Sequence, residues 1–216
     1  SEDEKRIFDQ LSPETAGTHV AIGNGVDLDF FDPGAVGPVA RLRKTIVFVG
    51  MMDYWPNIDA ANWFAKDILP LVRMRHGDAI FQIVGARPSA AVTALGELKG
   101  VEVTGAVPDV RPYVAAASVV VAPLRIARGI QNKVLEGMAM ARPVVATPGA
   151  LEGIHAERGR DVLVGENVQD FAAAVIQILD GAALPSLGRS ARGFVMRKHD
   201  WRAILATLDE ILRSPE

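Results

Sequence analysis

Residues 118–147 read SVVVAPLRIARGIQNKVLEGMAMARPVVAT, and this stretch decides the fold. Apolar runs at 118–123 and 143–147 flank a segment, 130–141, that has the periodicity of an amphipathic helix. Gly129 permits a tight turn just before that helix. A strand, a helix and a second strand joined in this way form the crossover unit of a parallel sheet.

The same alternation extends along most of the chain. Its apolar runs are continuous rather than alternating, which is typical of strands buried on both faces of a parallel sheet. Predicted strands lie at 45–50, 79–85, 101–104, 118–123, 143–147 and 162–164. Predicted helices lie at 58–75, 89–98, 110–117, 130–141, 168–179, 187–198 and 201–212. We therefore predict an α/β fold with a doubly wound parallel sheet and a helical carboxy-terminal tail.

The bulk composition excludes several classes of protein. The 216 residues are 49% hydrophobic and 23% charged, with a net charge of -3, which argues against a general binder of nucleic acid or of membrane surfaces. The absence of cysteine excludes disulfides, a thiolate nucleophile and a cysteine-based zinc site. No apolar run approaches the roughly 18 residues of a membrane span. We expect a cytoplasmic location.

A cluster of charges surrounds the turn at Gly129. Arg125, Arg128 and Lys133 precede or begin a helix whose amino terminus offers free N–H groups to an anion, and Glu136 lies one turn further. A carboxylate there can accept from both hydroxyls of a ribose while the cations neutralise phosphates. The alternative is an exposed Lys133–Glu136 ion pair beside solvated arginines.

Ligands of open α/β sheets collect at the carboxyl ends of the strands. Gly50 ends the first strand and opens the loop GMMDYWPN at 50–57, although no dinucleotide or phosphate-loop pattern follows. Tyr54 and Trp55 either anchor this loop or meet a partner domain, and we favour the partner.

Metal and nucleophilic chemistry find little support. Asp27-Leu28-Asp29 has the form of a two-carboxylate metal motif, but carboxylates at this spacing are common by chance in connecting sequence. The histidines lack metal-ligand spacing and no Gly-x-Ser-x-Gly elbow is present. They are His19, His76, His155 and His199.

The residues resemble a known family at this point. Gly129 together with KVLEGMAMARPVVA at 133–146 resembles the signature of family 4 retaining glycosyltransferases, the "group 1" enzymes. NGVD at 24–27 is similar to the interdomain connector of that family, and the similarity covers roughly residues 19–212. The amino-acid sequences of 52–57 and 125–133 most resemble those of a bacterial subgroup linked to exopolysaccharide production.

The resemblance implies a GT-B architecture of two Rossmann-like domains, of which this chain is similar to the carboxy-terminal, donor-binding one. Residues 1–44 would then be the end of a preceding domain and a connector, 45–198 the nucleotide-sugar domain, and 199–216 a helix crossing back. The implied partners are a nucleotide-sugar donor, a missing amino-terminal acceptor domain and a glycan or lipid-linked acceptor. Peripheral membrane association would come through the missing domain, and no metal is expected. Such a chain alone should bind nucleotide weakly and transfer no sugar.

The resemblance also assigns residues to the donor. Glu136 would hold the ribose hydroxyls, and the backbone of Gly129, Ile130 and Gln131 would face the donor sugar or diphosphate. The segment 105–108, including Gly105 and Val107, would lie near the base. Gly50 is a donor-site candidate on a separate ground, because it ends a strand and opens a loop that suits a position facing the ligand.

Three positions depart from the family pattern. Arg128 stands where many members carry a second glutamate, and Met51 and Pro56 stand where phosphate-binding Arg and Lys are usual. We hypothesise that Arg125, Arg128 and Lys133 supply the missing charge. Two other functions remain open: a nucleotide-sugar epimerase of the same fold, and a non-catalytic nucleotide-binding or assembly module.

Overall fold

The predicted apolar runs form a six-stranded sheet in which every pairing is parallel. The computed structural model describes residues 2–37, 44–181 and 184–213. In chain order the strands are Thr45–Val49 (β1), Ile80–Val84 (β2), Val101–Gly105 (β3), Val119–Ala122 (β4), Val144–Ala146 (β5) and Leu163–Val164 (β6). They lie in the order β3-β2-β1-β4-β5-β6, so the strand order reverses between β1 and β4. This doubly wound, Rossmann-like arrangement confirms the predicted fold class.

Helices flank the sheet, and each predicted helix has a counterpart. They are Glu2–Leu11 (α1), Trp55–Trp63 (α2), Leu69–Arg75 (α3), Ala90–Thr93 (α4), Arg111–Ala116 (α5), Asn132–Ala139 (α6), Val168–Leu179 (α7), Leu184–Lys198 (α8) and Trp201–Arg213 (α9). The helical carboxy-terminal tail is therefore confirmed. No helix in the described part of the chain is both long and apolar enough to span a membrane.

The long helix predicted at 58–75 begins earlier and is not uniform. A π-helical segment, Phe64–Ile68, separates α2 from α3, and the Leu69 N–H reaches back five residues to the Phe64 carbonyl. Pro70 explains the interruption, because proline has no N–H for the ladder and its ring crowds the carbonyl four residues before it.

Two other predicted helices are shorter than expected. The helix predicted at 89–98 is α4 followed by a 3-10 turn, Ala94–Glu97. The helix predicted at 130–141 begins only at Asn132, because Gly129 has a φ of 65° and Gln131 is extended.

The core lies around the middle strands of the sheet. The side chains of β4 and β5 are buried along their whole length, and those of β1 are buried beyond Thr45. Phe64 packs on Phe81 with ring centres 4.3 Å apart. Burial on both faces explains why these strands read as continuous apolar runs.

Helix α6 sits unusually close to the sheet. Val134 and Met138 are fully buried, as their four-residue spacing predicts. A Cβ on Gly137 would lie 3.0 Å from Val120 Cγ1 and 3.3 Å from Val144 Cγ2, which is tighter than an ordinary contact, so the bare backbone of glycine favours this approach. The close contact fixes the amino terminus of α6 beside the carboxyl end of β4.

The connector at residues 24–26 contacts the start of the carboxy-terminal tail at His199. The Val26 N–H donates to the His199 carbonyl at 2.8 Å, and His199 Nδ1 lies 2.9 Å from the Asn24 carbonyl. The division at residues 44 and 198 remains a prediction. The connecting sequence at 38–43 and the carboxy-terminal residues 214–216 lie outside the described residues.

Candidate functional site: a cleft at the carboxyl ends of the strands

A cleft of about 530 Å³ opens at the carboxyl edge of the sheet. The loops after β1, β2 and β3 and the first turn of α6 enclose it. Its lining residues are Val49, Gly50, Met51, Gly85, Ala86, Val107, Val110, Ile130, Gln131, Asn132, Lys133 and Glu136. The volume suits a small-molecule ligand, and the position is the edge predicted from the strand pattern.

Glycine lets two walls of the cleft touch. Gly85 has a φ of 150°, and a Cβ placed on it would lie 1.8 Å from the Gly50 carbonyl oxygen. The Gly50 N–H in turn donates to the Val84 carbonyl at 3.1 Å. The loops after β1 and β2 are therefore in backbone contact, and a side chain at Gly85 would force them apart.

Lys133 places a cation inside the cleft. Its Nζ donates to Asn57 Oδ1 at 2.8 Å and lies 5.4 Å from the centre of the Phe48 ring. Burial lowers the pKa of the ammonium group to about 8, while the charge of Glu136 acts in the opposite direction. A half-buried cation with a lowered pKa is one that an anionic ligand would stabilise.

Glu136 lies one turn along the same helix and also lines the cleft. Burial raises the pKa of its carboxyl group, and Lys133 partly opposes that shift. Both side chains are half-buried, and they are more exposed than Val134 and Met138 on the buried face of the same helix, as the spacing predicts. Lys133 turns toward Asn57 on α2 instead of forming an exposed pair with Glu136.

The amino terminus of α6 is open toward the cleft. Gln131 precedes the helix without a side-chain cap, and its Nε2 donates instead to the Arg128 and Gly129 carbonyls at 3.2 and 3.1 Å. Asn132 accepts at 2.5 Å from Asn24 Nδ2, which ties the connector to the rim of the cleft. An uncapped first turn presents N–H groups and a partial positive charge to a ligand.

The structure brings together some of the predicted site residues and not others. Those that line the cleft are Gly50, Val107, Ile130, Gln131, Lys133 and Glu136. Those outside its lining are Gly105, Arg125, Arg128 and Gly129. Gly105 and Gly129 have φ values of 69° and 65° and shape the neighbouring turns.

The two arginines differ from the expectation that they face the ligand. Arg125 pairs with Asp59 on α2, with Nε 3.0 Å from Oδ2, and its guanidinium lies 5.3 Å from the centre of the Trp63 ring. Hydrogen bonding to Asp59 raises the pKa of Arg125. Arg128 is exposed. Of the three predicted cations, Lys133 is the one that lines the cleft.

Asn57 has no predicted role, although it lies in the loop at 50–57. This side chain is 4% exposed and bridges the loop after β1 to α6. Only its position after Pro56, at the start of a helix, was visible in the sequence, and a buried amide at such a site has no local signature.

The structure also shows the surroundings of Asp27 and of the aromatic pair Tyr54 and Trp55. Asp27 Oδ1 accepts from the N–H groups of Asp29 and Phe30 at 3.0 and 2.9 Å, so it closes a turn. Tyr54 and Trp55 are 61% and 59% exposed, which rules out a role as buried anchors of the loop. Their contact with a partner domain remains a prediction.

Residues 43–181 match a family model described as glycosyl transferases group 1. The match spans more than half of the chain, so the chain belongs to the group 1 glycosyltransferases and carries a glycosyltransferase domain of that family. No curated protein matches the chain in sequence.

Solved structures show the same fold. Anabaena Alr3699/HepE in complex with UDP superposes with a TM-score of 0.78 at 18% identity, covering 100% of this chain and 62% of that one. A glycosyltransferase from Rickettsia africae ESF-5 gives 0.75 at 19% identity, covering 91% and 58%. Sucrose-phosphate synthase from Thermosynechococcus elongatus gives 0.72 at 18% identity, covering 97% and 56%. This chain therefore spans about 60% of the length of these structures.

Proposed function

We propose that this chain is the donor-binding part of a GT-B glycosyltransferase that transfers a sugar from a nucleoside diphosphate sugar. The observation that carries the proposal is that a half-buried cation, Lys133, and a half-buried carboxylate, Glu136, line the same cleft at the open amino terminus of α6. Membership of the group 1 family and the UDP named in the Alr3699/HepE complex support it.

Each wall of the cleft has a part in this proposal. Lys133 and the N–H groups of the first turn of α6 neutralise the diphosphate. Glu136 accepts from the two ribose hydroxyls, because a carboxylate offers two oxygens at the spacing of a diol. Val107 and Val110 provide an apolar wall for the base. Catalysis would rest on positioning and on electrostatic stabilisation of the departing diphosphate, without a metal.

The wider role is proposed on the sequence resemblance. The full-length enzyme would act in the bacterial cytoplasm, using a glycan or lipid-linked acceptor held by an amino-terminal domain. The amino-acid sequences of 52–57 and 125–133 favour a role in exopolysaccharide biosynthesis.

Calorimetric titration of the chain with UDP, GDP and ADP tests the donor site. We expect one nucleotide to bind, and Glu136→Gln to weaken it about 10- to 100-fold, because charge-assisted hydrogen bonds to the ribose are worth about 1.5–3 kcal/mol. Glu97→Gln, a substitution at an exposed glutamate beyond the cleft, is the matched control and should leave affinity unchanged.

Two results would contradict the proposal. Absence of binding to all three nucleotides would favour the non-catalytic assembly module. Product analysis with the full-length protein that finds an epimerised nucleotide sugar without acceptor would favour the epimerase.

A further inference from the structure

The side chain of Asn57 is buried between two walls of the cleft without lining it. It is 4% exposed, and both polar atoms of its carboxamide are hydrogen-bonded. Its Nδ2 donates to the Met51 carbonyl at 2.9 Å, and its Oδ1 accepts from Lys133 Nζ at 2.8 Å. One side chain thus holds the loop after β1 and a cation 76 positions further along the chain.

The chemistry of the two partners requires a carboxamide. The ammonium group of Lys133 can only donate and the carbonyl of Met51 can only accept, so the group between them must offer one acceptor and one donor. A carboxylate at position 57 would set an oxygen against the Met51 carbonyl. A methyl group would take the Oδ1 acceptor away from the half-buried Lys133 ammonium group, and it would leave the Met51 carbonyl with only the Tyr54 N–H, at 3.3 Å.

The backbone around Asn57 is shaped to admit this group. A Cβ on Gly50 would lie 2.7 Å from Asn57 Nδ2 and 3.1 Å from its Cγ. Gly50 therefore leaves room for the carboxamide, and the carboxamide fixes the loop at Met51, which lines the cleft together with Gly50 and Lys133.

We propose that Asn57 is a positioning residue that prepares the cleft for the donor diphosphate. This inference rests on the proposed function. Its carboxamide aligns the Lys133 ammonium group with the Gly50–Met51 backbone before the ligand binds. One N–H of the ammonium group is bonded to Asn57, which leaves two for diphosphate oxygens. Asn57 and Lys133 together take the place of the first-loop cations that the group 1 pattern leads one to expect at Met51 and Pro56.

In the described part of the chain, few charged groups besides Glu136 lie where they would alter the pKa of Lys133. On the loop after β1, Asp53 pairs with Arg87 at 2.9 Å. On α2, Asp59 pairs with Arg125. On β1, the neighbour is the uncharged Phe48 ring. The affinity of the cleft for an anion should therefore fall as Lys133 loses its proton.

The test compares UDP affinity between pH 7 and pH 10 for the wild-type chain and for three variants, with GDP or ADP as the probe should either bind better. Asn57→Ala should weaken binding at least about tenfold at pH 7. Asn57→Asp, which keeps the shape, should raise the pH at which affinity falls by about one unit, because a carboxylate at hydrogen-bond distance favours the charged ammonium. Asn62→Ala is the matched control: Asn62 lies on the same helix, and its Nδ2 donates to the Ile58 carbonyl at 2.9 Å, so neither quantity should change.

A purely structural Asn57 would lower the melting temperature of the alanine variant but leave the nucleotide affinity of the folded variant within twofold of wild type. That affinity, or a pH midpoint of the aspartate variant that stays at the wild-type value, would overturn this inference alone. A wild-type chain that binds none of the three nucleotides would overturn the proposed function, and the inference with it.

Discussion

At the scale of single residues, Lys133 shows how a half-buried charge is held at a cost to the stability of the fold. Its ammonium group is half-buried, and burial lowers its pKa from an ordinary value of 10.5 to about 8. The hydrogen bond to Asn57 and the nearby Phe48 ring recover only part of the lost hydration. Such strain is typical of binding sites, where a ligand supplies the missing interactions.

This strain predicts a specific dependence of stability on pH. Between pH 8 and pH 10.5 the unfolded chain binds more protons at Lys133 than the folded chain does, so the free energy of unfolding rises with pH in that window. Relative to Lys133→Met, the wild-type chain should gain about 1–2 kcal/mol across it, less than the full shift implies because the side chain is only half-buried.

Urea unfolding at pH 7.5, 9 and 10.5 measures this gain. Any constant difference between the two proteins, including the loss of the bond to Asn57, cancels in the comparison across pH. Lys66→Met, at an exposed lysine, is the control and should show no such dependence. A gap between wild type and Lys133→Met that stays constant with pH would show that Lys133 titrates normally.

At the scale of elements, the position of α6 decides where the charged groups lie. The helix rests on β4 and β5 through Val134, Met138 and the bare backbone of Gly137. Because its amino terminus lies at the carboxyl edge of the sheet, Lys133 and Glu136 enter the cleft. Helix-to-sheet contact thus sets the geometry of the candidate site.

Gly137→Ala should therefore destabilise the chain by about 1–2 kcal/mol, although alanine favours a helix over glycine by nearly 1 kcal/mol. The new Cβ would lie 3.0 Å from Val120 Cγ1 and 3.3 Å from Val144 Cγ2, and both of these side chains are buried in the core and would have to shift to admit it. Thermal unfolding measures the change, and weakened nucleotide binding should accompany it.

Gly193→Ala in α8 is the matched control. Its Cβ would meet only the mobile end of Arg197, at 3.1 Å, so the helix preference should make this change neutral or stabilising. Equal effects at the two glycines would mean that the close contact of α6 with the sheet is unimportant.

At the scale of the whole molecule, the connector and the carboxy-terminal helix hold each other. Val26 bridges to Asp200, and Gly25 packs under Trp201 at the start of α9. The connector also reaches the cleft, where Asn24 bonds to Asn132. The connector thus links the start of α9 to the first turn of α6.

Gly25→Ala should loosen this contact. A Cβ at Gly25 would lie 2.9 Å from the Trp201 side chain and 3.0 Å from the His199 carbonyl, and the carbonyl belongs to backbone that cannot turn aside. We expect α9 amides to lose about tenfold in hydrogen-exchange protection, equivalent to about 1.4 kcal/mol of local opening. Gly23→Ala, with open space around the new Cβ, should leave α9 unchanged; matching losses in both variants would argue against docking through Gly25.

The sequence by itself determined the sheet. Continuous apolar runs such as 118–123, separated by helical periodicity, are enough to predict a doubly wound parallel sheet, because burial on both faces leaves a pattern that is local and readable. The same reasoning located the edge that holds the cleft and two of its charged residues, Lys133 and Glu136.

Tertiary structure decided which charges face the cleft. Arg125 was expected beside the ligand, but Asp59, 66 positions away, binds its guanidinium. Asn57 has no predicted role, yet its side chain accepts a hydrogen bond from Lys133, which lies 76 positions further along the chain. Both outcomes depend on which side chains the crossovers bring within hydrogen-bonding distance, and no local pattern encodes a partner that only folding brings near.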